Sequence, residues 1–142
     1  MNCTRSVGQR INILGRLFAK KLNDQILNTG LTGSQWSVIT CLLLHGELTQ
    51  AALCEQLSIE ASTISKTLYS MEKAGWISRI VDKNDKREKK SVLTDKAKAY
   101  LPIWIEIVND LNKQAIHEIP SKDMAIFDHV LDHILENLQN NI

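Results

Sequence analysis

Apolar residues recur every three or four positions along most of this chain, and the breaks in that rhythm mark its elements. Between Ile11 and Ile26 the positions Ile11, Leu14, Phe18, Leu22 and Ile26 form one stripe, with Arg16, Lys20 and Lys21 between them, which is the spacing of one helix face. Asn28-Thr29-Gly30 ends that helix. Thr32-Gly33-Ser34-Gln35 has the form of a capping box, in which hydroxyl and amide satisfy each other's orphan backbone donors. A second helix therefore starts near 33, runs to about His45 with Trp36, Ile39, Leu42 and Leu43 inward, and stops at Gly46. Thr49 is placed to cap a short third helix through Ala51, Leu53 and Leu57. A fourth helix, about Glu60 to Ala74, faces Ile64, Leu68 and Met71 to the core and ends on Gly75. Its other side carries Ser62, Thr63, Ser65, Lys66 and Tyr69.

The period then changes. Trp76 to Val81 and Lys90 to Leu93 read as short strands joined by a polar run over 82–89, a hairpin with a charged tip. Thr94 caps a long fifth helix containing Tyr100, Trp104, Val108, Leu111 and Ala115, in which Pro102 predicts an early bend or a delayed start. Ile119-Pro120 breaks it, and from Ser121 a last helix carries Met124, Phe127, Leu131, Ile134 and Leu138. Three short helices followed at once by a two-stranded hairpin is the order of a winged helix-turn-helix. The expected fold is mainly α with a small β-hairpin wing. The expected division is residues 1–30 as the N-terminal helix of a dimerisation region, 31–97 as a winged helix-turn-helix DNA-binding lobe, and 98–142 as C-terminal dimerisation helices.

Composition narrows the function classes. With 142 residues, 44% hydrophobic, the chain has the size of one ordinary globular domain. Its longest nearly apolar run, Val38 to Leu44, falls far short of the roughly 20 residues of a membrane span. The opening Met1-Asn2-Cys3-Thr4-Arg5 has no apolar segment behind it, so a cytoplasmic protein is expected. Cys3, Cys41 and Cys54, odd in number and without paired spacing, read as reduced thiols. The net charge of +1 hides a pattern: +4 over 1–28, −3 over 29–61, +4 over 62–96 and −4 over 97–142. A protein that contacts phosphates needs its cations on one surface, whatever their total.

The basic block coincides with the helix before the hairpin and with the hairpin itself. On the helix, Ser and Thr hydroxyls can serve phosphates and base edges, and Lys66 can reach a guanine or a phosphate. At the tip, Lys83, Lys86, Arg87, Lys89 and Lys90 crowd a segment with almost nothing apolar to bury, a finger suited to a minor groove. The alternative for each is a solvated face.

Several stretches carry a family resemblance: Leu31-Thr32 with Trp36, Leu48-Thr49-Gln50, Ser62-Thr63, Met71-Glu72-Lys73-Ala74-Gly75, and Asp85-Lys86-Arg87 followed by Leu93-Thr94. In these the chain resembles the multiple antibiotic resistance regulator (MarR) family of bacterial transcription factors, closely over 31–97 and by pattern in the flanking helices. The resemblance implies that Arg87 contacts the minor groove or its phosphates, with Asp85 holding its guanidinium. It implies that Ser62, Thr63, Ser65 and Lys66 face the major groove and that Thr49 and Gln50 meet phosphate through a helix N-terminus. The departure is at Glu60 and Ala61, where many relatives present a small cap and a basic or polar residue; a carboxylate there repels phosphate.

On the fifth helix Ile103, Trp104, Ile105, Ile107, Val108 and Leu111 occupy more of the circumference than one contact face requires. An intertwined homodimer would bury the excess, with Ile11, Trp104, Val108, Leu111, Phe127, Leu131, Ile134 and Leu138 at its interface. Two-fold symmetry makes a pseudo-palindromic double-stranded DNA operator the expected partner. The resemblance also implies a small-molecule effector pocket, for which Phe18, Trp36 and Trp104 are candidates. The expected activity is that of a repressor released by such an effector, with no cofactor, no metal and no catalysis. The alternatives are a redox- or metal-responsive regulator of the same fold, drawing on the three cysteines or on His129 and His133, and a winged helix used for protein-protein contact.

Overall fold

The computed structural model describes residues 6–81, 83–84 and 87–140. The order is α1 (Val7–Ile26), a 3-10 turn (Leu27–Thr29), α2 (Gly33–His45), β1 (Leu48–Thr49), α3 (Gln50–Leu57), α4 (Ala61–Ala74), β2 (Ile77–Val81), β3 (Lys89–Leu93), α5 (Asp95–Ala115) and α6 (Ser121–Gln139). Contacts divide the chain into two compact units, residues 1–109 and 110–142, with the boundary inside α5.

In the first unit, helix ends follow local chemistry. The Ser6 hydroxyl accepts from Gln9 N–H at 3.2 Å, which starts α1 four residues before its apolar stripe. The expected capping box of α2 is present: Gln35 N–H donates to the Thr32 hydroxyl at 3.2 Å, and Thr32 N–H to Gln35 Oε1 at 3.0 Å. Thr49 caps α3 by accepting from Ala52 N–H. Gly75 ends α4 in the left-handed region (φ +85°), where its N–H reaches Glu72 C=O and that of Trp76 reaches Met71 C=O. Any side chain at Gly75 would be strained in that conformation.

The hairpin is the larger part of a three-stranded antiparallel sheet, ordered β1-β3-β2, with Arg79 opposite Ser91 and Leu48 opposite Ser91 on the other edge. The two-residue β1 leaves no sequence period and was not anticipated. Thr94 knots the sheet to α5. Its hydroxyl donates to Gly75 C=O at 2.6 Å and accepts from Ala97 N–H at 3.2 Å, while Lys96 donates to Ala74 C=O and lies over the Trp76 ring at 4.2 Å.

Three tryptophans centre the core of this unit. Trp104 meets Trp76 edge-on at 4.9 Å and Trp36 at 6.2 Å, Tyr100 packs beside it, and its indole N–H donates to the Thr29 hydroxyl at 2.8 Å. Ile26, Leu31, Val38, Ile39, Leu53, Ile64, Leu68 and Met71 surround them. Leu43, expected inward, is half-exposed, and Val38 takes the inward place instead. Pro102 does not delay α5, which begins at Asp95 directly after the Thr94 cap.

Trp104 and Leu111, expected at an interface between copies, are instead buried within the chain itself, Trp104 completely. An indole enclosed on all sides by its own core has no area left for a partner. The apolar face of α1 is different: Val7, Ile11, Leu14, Leu17 and Phe18 are all exposed. In the second unit, a left-handed Glu118 (φ +62°) and Pro120 separate the helices, and α6 half-buries Met124, Leu131 and Ile134 while Ile126, Phe127, Val130, Leu135 and Leu138 stay exposed.

Candidate nucleic-acid interface

Helix α4 presents two faces of opposite chemistry. Ile64, Leu68 and Met71 are buried and anchor it, while Ser62, Thr63, Ser65, Lys66 and Tyr69 are exposed on the other side. Glu60, at its N-cap, makes no side-chain capping bond, so its carboxylate adds negative charge at that edge without closing the helix end.

Gln50 and Ser65, both expected to meet DNA, are brought against each other. Gln50 Nε2 donates to Ser65 Oγ at 2.6 Å and to Ala61 C=O at 3.4 Å, tying the start of α3 to the first turns of α4. The Thr49 hydroxyl serves as N-cap acceptor and keeps its own proton to donate.

Beside them lies an open cleft of about 180 Å³, lined by Thr49, Gln50, Ala51, Arg79, Arg87, Glu88 and Lys89. Three cations, Arg79, Arg87 and Lys89, line it together with the first residues of α3, against one carboxylate, Glu88. The buried Nε of Arg79 has no hydrogen-bond partner among the described residues, nor has the hydroxyl of its cross-strand neighbour Ser91. Leaving such buried donors unmade is costly. Arg79 was missed in the sequence, although a signal existed: strand alternation puts it on the same side as Ile77, which is buried.

Lys83 and Arg87 are exposed at the hairpin tip; Asp85 and Lys86 lie outside the described residues. The candidates for an effector pocket are scattered in character. Trp36 and Trp104 are packed on each other in the core, and Phe18 stands on the exposed face of α1. Burial pushes the Cys41 thiol up, which disfavours a reactive thiolate; Cys54 is half-buried, and Cys3 lies outside the described residues. The rings of His129 and His133 are exposed on α6 with centroids 6.4 Å apart, and no cluster of three or more metal-ligating side chains occurs among the described residues. No described helix is long and apolar enough to cross a membrane.

Comparison with known proteins gives concordant matches. The MarR family model matches residues 31–89. The HTH-type transcriptional regulator YwoH of Bacillus subtilis (strain 168) is 35% identical over 133 residues, covering 93% of this chain and 96% of that protein. Among solved structures, a MarR transcriptional regulator from Methanosarcina mazei Go1 superposes with a TM-score of 0.88 at 20% identity, over 94% of this chain and 96% of that one. A putative MarR family regulator from Listeria monocytogenes, solved with 26-mer DNA, also gives 0.88 at 20% identity, over 96% and 91%. A mutant MarR from E. coli complexed with operator DNA gives 0.82 at 22%, over 91% and 93%. At these identities the structural likeness is one of fold.

Proposed function

The chain belongs to the MarR family of DNA-binding transcriptional regulators, and from that premise we propose that it is a repressor that grips a pseudo-palindromic operator as a homodimer. In this reading α4 enters the major groove with Ser62, Thr63 and Lys66 toward the bases, and the hairpin tip with Lys83 and Arg87 follows the minor groove. The cleft between α3 and the sheet seats a backbone phosphate against Thr49, Arg79 and Lys89.

The observation that carries the reading is the meeting of an exposed polar helix face with a cleft lined by three cations, Arg79, Arg87 and Lys89, against one carboxylate. The exposed apolar residues of α1 and of α6 support the homodimer, because a second copy would remove them from water; Ile11, Phe127 and Leu138 are among them. Val108, Leu131 and Ile134, half-buried already, complete that surface in the proposal. Release is assigned to a small ligand that prefers the spacing of the two lobes that does not fit the groove, a population shift that needs differential affinity.

The test is a fluorescence-anisotropy titration with the DNA flanking the protein's own gene, repeated across salt concentrations. Arg87→Ala and Lys66→Ala are each expected to weaken binding about tenfold, and Arg87→Ala to lower the slope of log affinity against log salt by about 1. Unchanged affinity and slope in both variants would take this surface off DNA and leave a module for protein-protein contact.

A further inference from the structure

The polar face of α4 is stayed on both flanks by glutamine side chains. Gln35 on α2, only 8% exposed, uses both ends of its amide: Oε1 accepts from Thr32 N–H, and Nε2 donates to Ser70 Oγ on α4 at 3.1 Å. Ser70 passes its own proton to the Thr67 carbonyl at 2.8 Å. On the other flank Gln50 holds Ser65. At about 100° of turn per residue, Ser65 and Ser70 stand about 140° apart around α4, and Ser62, Lys66 and Tyr69 lie on the arc between them.

The capping box accounts for only half of Gln35. A glutamate closes such a box equally well, since the cap uses a side-chain oxygen alone. The amide nitrogen is surplus to it, and in this chain that nitrogen is given to the helix that presents the polar face. Two stays on opposite flanks, one near the start of α4 and one in its C-terminal half, resist rotation of the helix about its own axis. A side-chain tip lies about 5 Å from that axis, so a 20° turn carries it nearly 2 Å, beyond the distance window of a hydrogen bond to a base edge. Phosphate contacts by long cationic side chains tolerate such a shift and carry no sequence information.

We propose that Gln35 is a positioning residue for sequence readout: it never touches DNA, yet through Ser70 it sets the rotation of α4 and thereby discrimination between sequences rather than overall affinity. The inference rests on α4 being the reading helix, as proposed above. It is tested with two probes: the duplex that the wild-type protein enriches from a random-sequence pool, and a scrambled duplex of the same composition, both measured at one salt concentration.

Gln35→Met and Ser70→Ala are each expected to reduce the ratio of the two affinities about tenfold while the scrambled duplex binds as before. Ser70→Thr, which keeps the hydroxyl, retains the ratio. The double variant loses no more of the ratio than either single one, because both remove the same bond to α4; the cap bond that Gln35→Met also removes belongs to α2 and is read in stability, not in the ratio. A ratio that both single variants leave unchanged, or affinities that fall in step for both duplexes, would overturn the relay. Additive losses in the double variant would overturn it too, by giving Ser70 a DNA contact of its own. A wild-type protein that enriches no duplex would instead remove the DNA-reading role, and the inference with it.

Discussion

The winged-helix core and the helices α1 and α6 are written in the same apolar rhythm, and the chain finishes only one of them. Around Trp104 the stripes of α2, α4 and α5 close on one another, and Trp36, Trp76, Ile39, Leu53, Leu68 and Met71 lose nearly all contact with solvent. Along α1 the same spacing leaves Ile11, Leu14 and Phe18 exposed, and along α6 it leaves Phe127 and Leu138 exposed. A three-to-four period therefore says that a helix has an apolar face and is silent on what covers it. The amount of exposed apolar side chain is what separates a finished core from a surface that calls for a second molecule.

That contrast can be broken most forcefully from its closed side. Trp104→Ala removes an indole that is fully enclosed, together with its bond to the Thr29 hydroxyl, which keeps its own bond to Ile26 C=O, and it is expected to cost about 3–5 kcal/mol of stability, read as a lowered urea midpoint. On the open side, Leu14→Glu changes an exposed residue of α1. Monomer folding should survive it with a change of under about 1 kcal/mol, while sedimentation velocity should show the dimer lost at micromolar protein. A dimer that persists would take α1 out of the interface.

The smallest expected effect sharpens the comparison inside the core. Burial pushes the Cys41 thiol up, so the protonated form is the one the fold favours. Its contribution to stability is complete below the ordinary thiol range, about 8.5, and is lost as pH rises through the higher folded value. Urea midpoints should accordingly fall more steeply from about pH 8 to pH 10 for the wild type than for Cys41→Ala. Parallel profiles would mean that the thiol is open to solvent.

Helices and their ends were legible because each is fixed by residues close in sequence. Thr32 with Gln35, Thr49, Gly75 and Thr94 all cap or stop helices where their chemistry says they should. The β1 strand was not legible, since two residues have no period and Leu48 and Thr49 become a strand only through pairing with Ser91 and Lys90. The candidate site was half legible. Exposed Ser62, Thr63 and Lys66 follow from the helical wheel, but Arg79 joins Thr49 only when the sheet folds against α3. Gln35 shows the same limit: its cap role is local and readable, whereas its bond to Ser70 spans 35 residues. Trp104 was misplaced at an interface because an apolar helix position is equally consistent with a core and with a partner.

The Thr94 hydroxyl, bonded to the end of α4 and to the first turn of α5 at once, leaves the root of the hairpin no slack. Through these two bonds the first turn of α5 is linked directly to the end of α4. In the proposed dimer the hairpin and α4 are therefore expected to move together as a single jaw, so that a change in the distance between two such jaws would originate elsewhere in the chain.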